Sequence, residues 1–288
     1  MKKQVLIAIM VATLVVTFIP TLSFATDCND ETISSTENEE VYEISSLQEL
    51  EKEIEMADED NKVSNREAKE ILSEVEPDVM MEYVGEIDDI VSEAVENGQP
   101  DEEYYDAECD KTTEIYEIEI DGLSSARLEI IDQEEQTAVE EVTSKIKEKV
   151  CPSVFAATNG EEKWKNYGPR YFTAKYTRSI GGGFCTVATE NHYYVSSSGI
   201  TEKKGESWIV SSASILTVVS GPKDTITKKT ATSAGSYAHM KTSLRVRLDA
   251  AGVINGAFDI AERTGIKYIK KDSKNKRIKV EHYWKKLY

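Results

Sequence analysis

Tyr171-Phe-Thr-Ala-Lys-Tyr-Thr-Arg178 is followed, past Gly181-Gly-Gly183, by Phe184-Cys-Thr-Val-Ala-Thr-Glu-Asn-His-Tyr-Tyr-Val195. Val, Thr, Tyr and Phe dominate both runs at a period of two, and glycines separate them. That period places alternate side chains on opposite faces of an extended chain, so the stretch predicts β-strands with one face buried. Outward from it, Trp208 to Val219, Tyr237 to Leu248 and Arg277 to Trp284 repeat the pattern. Ser198-Gly199, Lys204-Gly205, Gly221-Pro222 and Asn275-Lys276 supply turns between them. Residues 165–288 therefore predict an all-β antiparallel sandwich or barrel of about six to eight strands. Ala250 to Thr264 reads as a short helix or a further irregular strand, with Phe258, Ile260 and Ile266 in the core.

Upstream, Cys151-Pro-Ser-Val-Phe-Ala-Ala-Thr-Asn-Gly160 carries no period. Charge changes sign across it. Thr26 to Val150 holds 42 acidic and 9 basic residues, whereas Cys151 to Tyr288 holds 11 and 23. The coincidence of charge, composition and period predicts a domain boundary, with 151–164 as a linker. Phe155-Ala-Ala157 offers a cleavable site within that linker.

The acidic half changes period twice. Residues 26–40 are polar and read as a disordered lead-in. Ser46-Leu-Gln-Glu49 forms a capping-box pattern before Leu47, Leu50 and Ile54 at helical spacing. A second helix is expected over Asn65 to Val75, stopped by Pro77. A third is expected over Asp78 to Glu96, stopped by Asn97-Gly98 and Pro100. Ile118, Ile120, Leu128 and Ile130 alternate around Asp121-Gly122, predicting a β-hairpin over 112–131. Glu134 to Val150 returns to helical spacing. The expected fold class is thus α+β in two domains: an acidic, mainly helical N-terminal domain over 41–150 with a small β-hairpin, and a basic all-β sandwich or barrel over 165–288.

The connection between the first two expected helices resembles an EF-hand calcium loop. Glu67 falls at the last position, Ser64 at the ninth, and Asp58 and Asp60 at the third and fifth. Met56 stands where a first carboxylate coordinates, and Asn61 replaces the turn glycine. An ordinary polar turn is therefore the preferred reading. Calcium, if bound, would bind only in the millimolar range. No other cofactor is expected.

Residues 1–25 predict an export signal. Lys2 and Lys3 precede the apolar run Val5 to Ile19, and Ser23-Phe-Ala25 is a small-x-small cleavage site. The protein is therefore expected outside the cell. There Cys28, Cys109, Cys151 and Cys185 are candidates for disulfides in any of three pairings.

Catalytic patterns are weak. Gly181-Gly-Gly183 lacks phosphate-loop spacing. His192, His239 and His282 are scattered among strands, and Cys185 paired with one of them is the only nucleophile arrangement to weigh. The basic residues say more. Lys267, Lys270, Lys271, Lys274, Lys276, Arg277, Lys279, Lys285 and Lys286 crowd the C-terminus among aromatics, and Arg245 and Arg247 share one strand face. Such a set binds anionic polymers through charge and stacking. The expected function is a binding protein, not an enzyme. Its basic domain would contact an anionic cell-surface polymer or membrane, not nucleic acid, with the acidic half masking it through an intramolecular acidic–basic contact. A toxin or pore-former held inactive by an acidic pro-segment is the alternative, and a Cys185/His enzyme is another.

Overall fold

The computed structural model describes residues 43–57, 63–98, 100–107, 110–135, 163–213, 216–250 and 253–287. Three helices come first: α1 (Leu47–Ala57), α2 (Asn65–Ser73) and α3 (Pro77–Asn97). Twelve strands follow: β1 (Glu102–Asp106), β2 (Lys111–Glu119), β3 (Ser124–Glu134), β4 (Trp164–Asn166), β5 (Gly168–Ile180), β6 (Gly183–Ser196), β7 (Gly199–Ala213), β8 (Leu216–Lys228), β9 (Thr230–Ala231), β10 (Tyr237–Ala250), β11 (Val253–Asp272) and β12 (Arg277–Lys286).

The helices begin and end where local chemistry directs. Pro77 opens α3, and Gly98, with φ +62°, closes it in the left-handed conformation that glycine adopts without a Cβ penalty. Ser64 caps α2. Ser46 caps α1 through the Glu49 N–H at 3.3 Å, but the Glu49 carboxylate turns to Ser45 rather than to Ser46.

The strands form two antiparallel sheets, one curled into a half-barrel. One sheet has seven strands in the order β1-β2-β3-β5-β6-β7-β9, and the other has five in the order β4-β12-β11-β10-β8. Their inner faces share one core. Phe172, Tyr176, Val187, Tyr193 and Val195 of the larger sheet meet Ile260, Ile266, Ile278, Val280 and Trp284 of the smaller. Tyr176 and Trp284 pack with ring centres 4.6 Å apart and planes tilted by 57°.

The expected fold class is overturned. The described residues are 62% strand and 21% helix, and there is no helical N-terminal domain. The hairpin expected over 112–131 is present as β2 and β3, but it is not a satellite of helices. β3 pairs along its whole length with β5, from Ser124↔Ile180 to Glu134↔Arg170, so acidic and basic halves build one sheet. The three helices bury Leu50, Leu72, Met80, Ile87 and Val91 in the same core as the strands, and Val75 between α2 and α3 joins them. Apolar stripes too small to sustain a domain of their own find their partner in the sheets.

Two further expectations change. Trp208 to Val219 is not one strand: β7 ends at Ala213 and β8 begins at Leu216, and the sequence between Trp208 and Val219 carries no glycine or proline to signal the break. Of the two readings of Ala250 to Thr264, the strand holds and the short helix does not: Ala250 ends β10, and Val253 to Thr264 belong to β11, which lies between β10 and β12. Its buried Glu262 and Thr264 interrupt the apolar alternation that normally reveals a strand. The helix expected over 134–150 falls, but for its first two residues, outside the described residues, as do the lead-in and the export signal.

Candidate functional site

Charged residues cross-link the interior at two places. In the first, Asp132 on β3 accepts from Arg170 Nε (3.0 Å) and Nη2 (2.9 Å), from His282 Nε2 (2.8 Å) and from the Tyr193 hydroxyl. Arg170 Nη1 also reaches Asp110 at 2.6 Å, and Lys165 Nζ donates to Thr112 Oγ1 at 2.8 Å. His282 Nδ1 faces Glu114 at 3.3 Å. Burial alone would raise the Asp132 pKa, but Lys165, Arg170 and His282 hold it well below the usual carboxylate range. Burial alone would lower the His282 pKa; Glu114 and Asp132 outweigh it and lift it to about 9. An imidazolium is therefore clamped between two carboxylates.

In the second, Asp88 on α3 accepts from Arg178 Nε (2.7 Å) and Nη2 (2.8 Å) and from the Tyr176 hydroxyl (2.6 Å). Glu262 lies 3.9 Å from Arg178 and accepts from Thr189 at 3.1 Å. A two-pronged arginine–carboxylate pair of this kind fixes position as well as charge. It ties α3 of the acidic half to β5 of the basic half. Most polar atoms of both networks turn onto one another, which is the geometry of a structural cross-link; in the second, Arg178 Nη1 and Glu262 Oε2 are the buried atoms left without a hydrogen bond among the described residues. Sequence reasoning passed over these residues, although a signal exists. Asp88 is in helical phase with Val84, Val91 and Val95, and Arg170 and Arg178 share the period of Phe172, Ala174 and Tyr176. A charge in phase with an apolar stripe marks a buried ion.

The residues singled out from sequence are spread apart. Ser64 and Glu67 form the capping box of α2, so the Glu67 carboxylate is taken by Ser64; Asp58 and Asp60 lie outside the described residues. Cys185 is a free, buried thiol whose pKa burial pushes up, while His192, His239 and His282 bond to Glu190, Thr227 and the Asp132 network respectively. Cys28, Cys109 and Cys151 lie outside the described residues.

Much of the basic set is occupied by its own chain. Lys285 meets Glu96 at 2.9 Å, and Lys286 meets Asp89 at 2.8 Å and the Gly85 carbonyl at 2.7 Å, all on α3. Lys267 pairs with Glu281, Arg277 with Asp272 and Arg245 with Asp259. Lys271 donates to the Ser197 carbonyl, and Lys270 and Arg277 sit over the Trp164 ring. Lys274 and Lys276 are exposed in the turn between β11 and β12, Lys279 is half-buried on β12, and Arg247 lies on β10 beside Thr217 of β8.

A different surface stands out. Trp208, Ile209 and Val210, consecutive on β7, are 42%, 38% and 45% exposed, and Val219 on β8 is 51% exposed. Consecutive strand residues point to opposite faces, so neither face of β7 is covered here. Val210 and Val219 lie equally far from the β7–β8 connection. Phe184, also exposed, is paired with Ala213 at the same end of the sheet. Arg245 and Arg247 pair with Ser220 and Thr217 on the neighbouring strand, which brings two guanidinium side chains to this apolar end. Exposed large apolar residues gathered on neighbouring stretches of chain are candidates for a contact surface.

No helix among the described residues is long and apolar enough to cross a membrane. No protein-family model matches the chain, and no curated protein or solved structure matches it either.

Proposed function

We propose that this is an exported binding protein that attaches to an anionic lipid surface by the apolar end of its sandwich. The observation that carries the reading is the exposed Trp208-Ile209-Val210 run on β7, with Val219 exposed on β8, the next strand in the chain. Side chains of this size gain about 1.5–3 kcal/mol each on leaving water. Arg247 adds about 1 kcal/mol near an anionic surface, and Arg245 adds as much where lipid headgroups replace its exposed partner Asp259. Together these suffice for reversible attachment. The acidic half acts in cis by occupying Lys285 and Lys286 through Glu96 and Asp89, which leaves the apolar end as the principal contact.

The test uses the whole protein and vesicles of phosphatidylglycerol or phosphatidylcholine. Sedimentation with the anionic vesicles, and a blue shift of Trp208 emission lost in Trp208→Phe, are expected. Trp208→Ser with Val210→Ser should abolish sedimentation without changing the melting temperature. Equal recovery of wild type and variant with anionic vesicles would overturn the proposal. Release of a trapped dye would turn the reading towards pore formation.

A further inference from the structure

On the outer face of the seven-stranded sheet, Glu190 and His192 stand two apart on β6, and Glu206 lies directly across from Glu190 on β7. One ligand atom from each lies within 4.8 Å of the other two. The geometry points to a divalent transition-metal site, with zinc as the metal its donor set fits, held by Glu190, His192 and Glu206.

Three features of this corner argue for a ligand rather than a solvated surface. The first is charge. Two glutamates directly opposite on neighbouring strands repel one another, which costs a sheet up to about 1 kcal/mol unless a cation lies between them. The protein brings His192 Nε2 to 2.7 Å from Glu190 and Lys204 Nζ to 2.7 Å from Glu206, so each carboxylate already draws a nitrogen partner. A divalent ion between the three side chains would neutralise both glutamates at once, with the flexible Lys204 swinging away.

The second is the orientation of the imidazole. Metal-binding histidines commonly turn their other ring nitrogen to a carboxylate, which fixes the tautomer and sharpens the lone pair. Here His192 presents Nε2 to Glu190, and its Nδ1 lies 3.6 Å from Glu135. The ring also stacks on Tyr171 of β5, centre to centre at 5.7 Å with 29° between planes. Tyr171 thus fixes the ring plane and Glu135 lies near Nδ1, while Nε2 points at the Glu190 carboxylate, where a metal would come between the two. Thr173 Oγ1 stands 3.5 Å from Glu190 Oε2 and steadies that carboxylate in the same way.

The third is donor type. One imidazole nitrogen with two carboxylate oxygens suits zinc, whereas calcium takes six to eight oxygens and magnesium keeps an octahedron of them. Glu206 is 49% exposed at its side chain, so the fourth position opens to water. Glu190 and His192 are about a fifth exposed, which leaves them rigid enough to define the site.

The decisive measurement is calorimetric titration of the purified protein with zinc chloride, with calcium chloride and magnesium chloride as parallel arms. Zinc is expected to bind and the other two to give no heat at the same concentrations. His192→Ala and Glu206→Gln should each weaken zinc by at least about 10-fold, and Glu135→Gln, acting through His192 as a positioning residue, by about 10-fold. Visible absorption on adding cobalt, lost in His192→Ala, reports the imidazole directly and separates this site from zinc held elsewhere. Glu135 and Glu206 are half exposed, so their variants should keep the wild-type melting temperature without metal, and His192→Gln, which keeps most of the half-buried side chain's volume, serves beside His192→Ala. Absence of zinc heat on the wild type, or unchanged zinc affinity in His192→Ala, would overturn the assignment.

Discussion

Asp132 and Glu202 are both fully buried on the inner face of the seven-stranded sheet, yet their chemistry is opposite. Asp132 meets Arg170, His282, Lys165 and Tyr193, and its carboxyl stays ionised far below the usual range. Glu202 stands across from Tyr193 on the next strand, and both of its oxygens lack a hydrogen-bond partner among the described residues. Burial alone lifts its pKa to about 8. The same loss of water acts on both carboxyls, so the difference teaches that partners decide which buried acid is an ion. It also shows where the fold carries a built-in weakness: a proton, rather than a cation, keeps Glu202 neutral.

The comparison breaks first at Arg170. Arg170→Met leaves Asp132 and Asp110 short of their principal cation and should destabilise the protein by about 3–5 kcal/mol. Denaturant titration reads this as a fall in midpoint, and Asp132→Leu added to it should restore much of the loss. A single-variant cost under about 1 kcal/mol would mean that Lys165 and His282 hold the charge without it.

Glu202 sharpens the comparison through pH. Its pKa rises from an ordinary 4.5 to about 8 on folding, so the native state keeps a proton that the unfolded chain releases. Stability should therefore fall as pH rises from 4.5 to 8 and level off beyond. Glu202→Gln carries no such titration. It should match wild type near pH 4.5 and exceed it by a few kcal/mol at pH 9, one pKa unit being worth about 1.4 kcal/mol. Thermal melts of both proteins across that range decide it; a constant gap between them would show that Glu202 does not titrate as described.

The smallest effect lies at the surface limit of the same comparison. Asp89 and Glu96 hold Lys286 and Lys285 where water competes. Asp89→Asn with Glu96→Gln should cost less than about 1 kcal/mol. Later elution of this double variant from a heparin column is expected, because two lysines are released; unchanged elution would show that α3 does not restrain them.

Parts of this were legible in advance. The strands at Tyr171–Arg178 and Phe184–Val195, the hairpin around Asp121-Gly122 and the helix that Gly98 closes all show in local period and turn chemistry. The union of the halves does not show. A change of net charge measures what faces water, whereas α3 joins the sandwich through Asp88 and Arg178, which face inward. The exposure of Trp208, Val210 and Val219 was also hidden, because period-two spacing marks a strand without saying which of its faces is covered. Glu190 and His192 are visible as neighbours on one strand face, but Glu206 joins them only through the β6–β7 register.

The sequence by itself determined the local elements, because period, caps and turn residues act over a few positions and need no distant partner. Tertiary structure alone decided that β3 should pair with β5, that Asp132 should be an ion and Glu202 an acid, and which apolar residues remain outside. Those outcomes depend on which groups meet after folding removes water from them, and that is a property of pairing rather than of order along the chain.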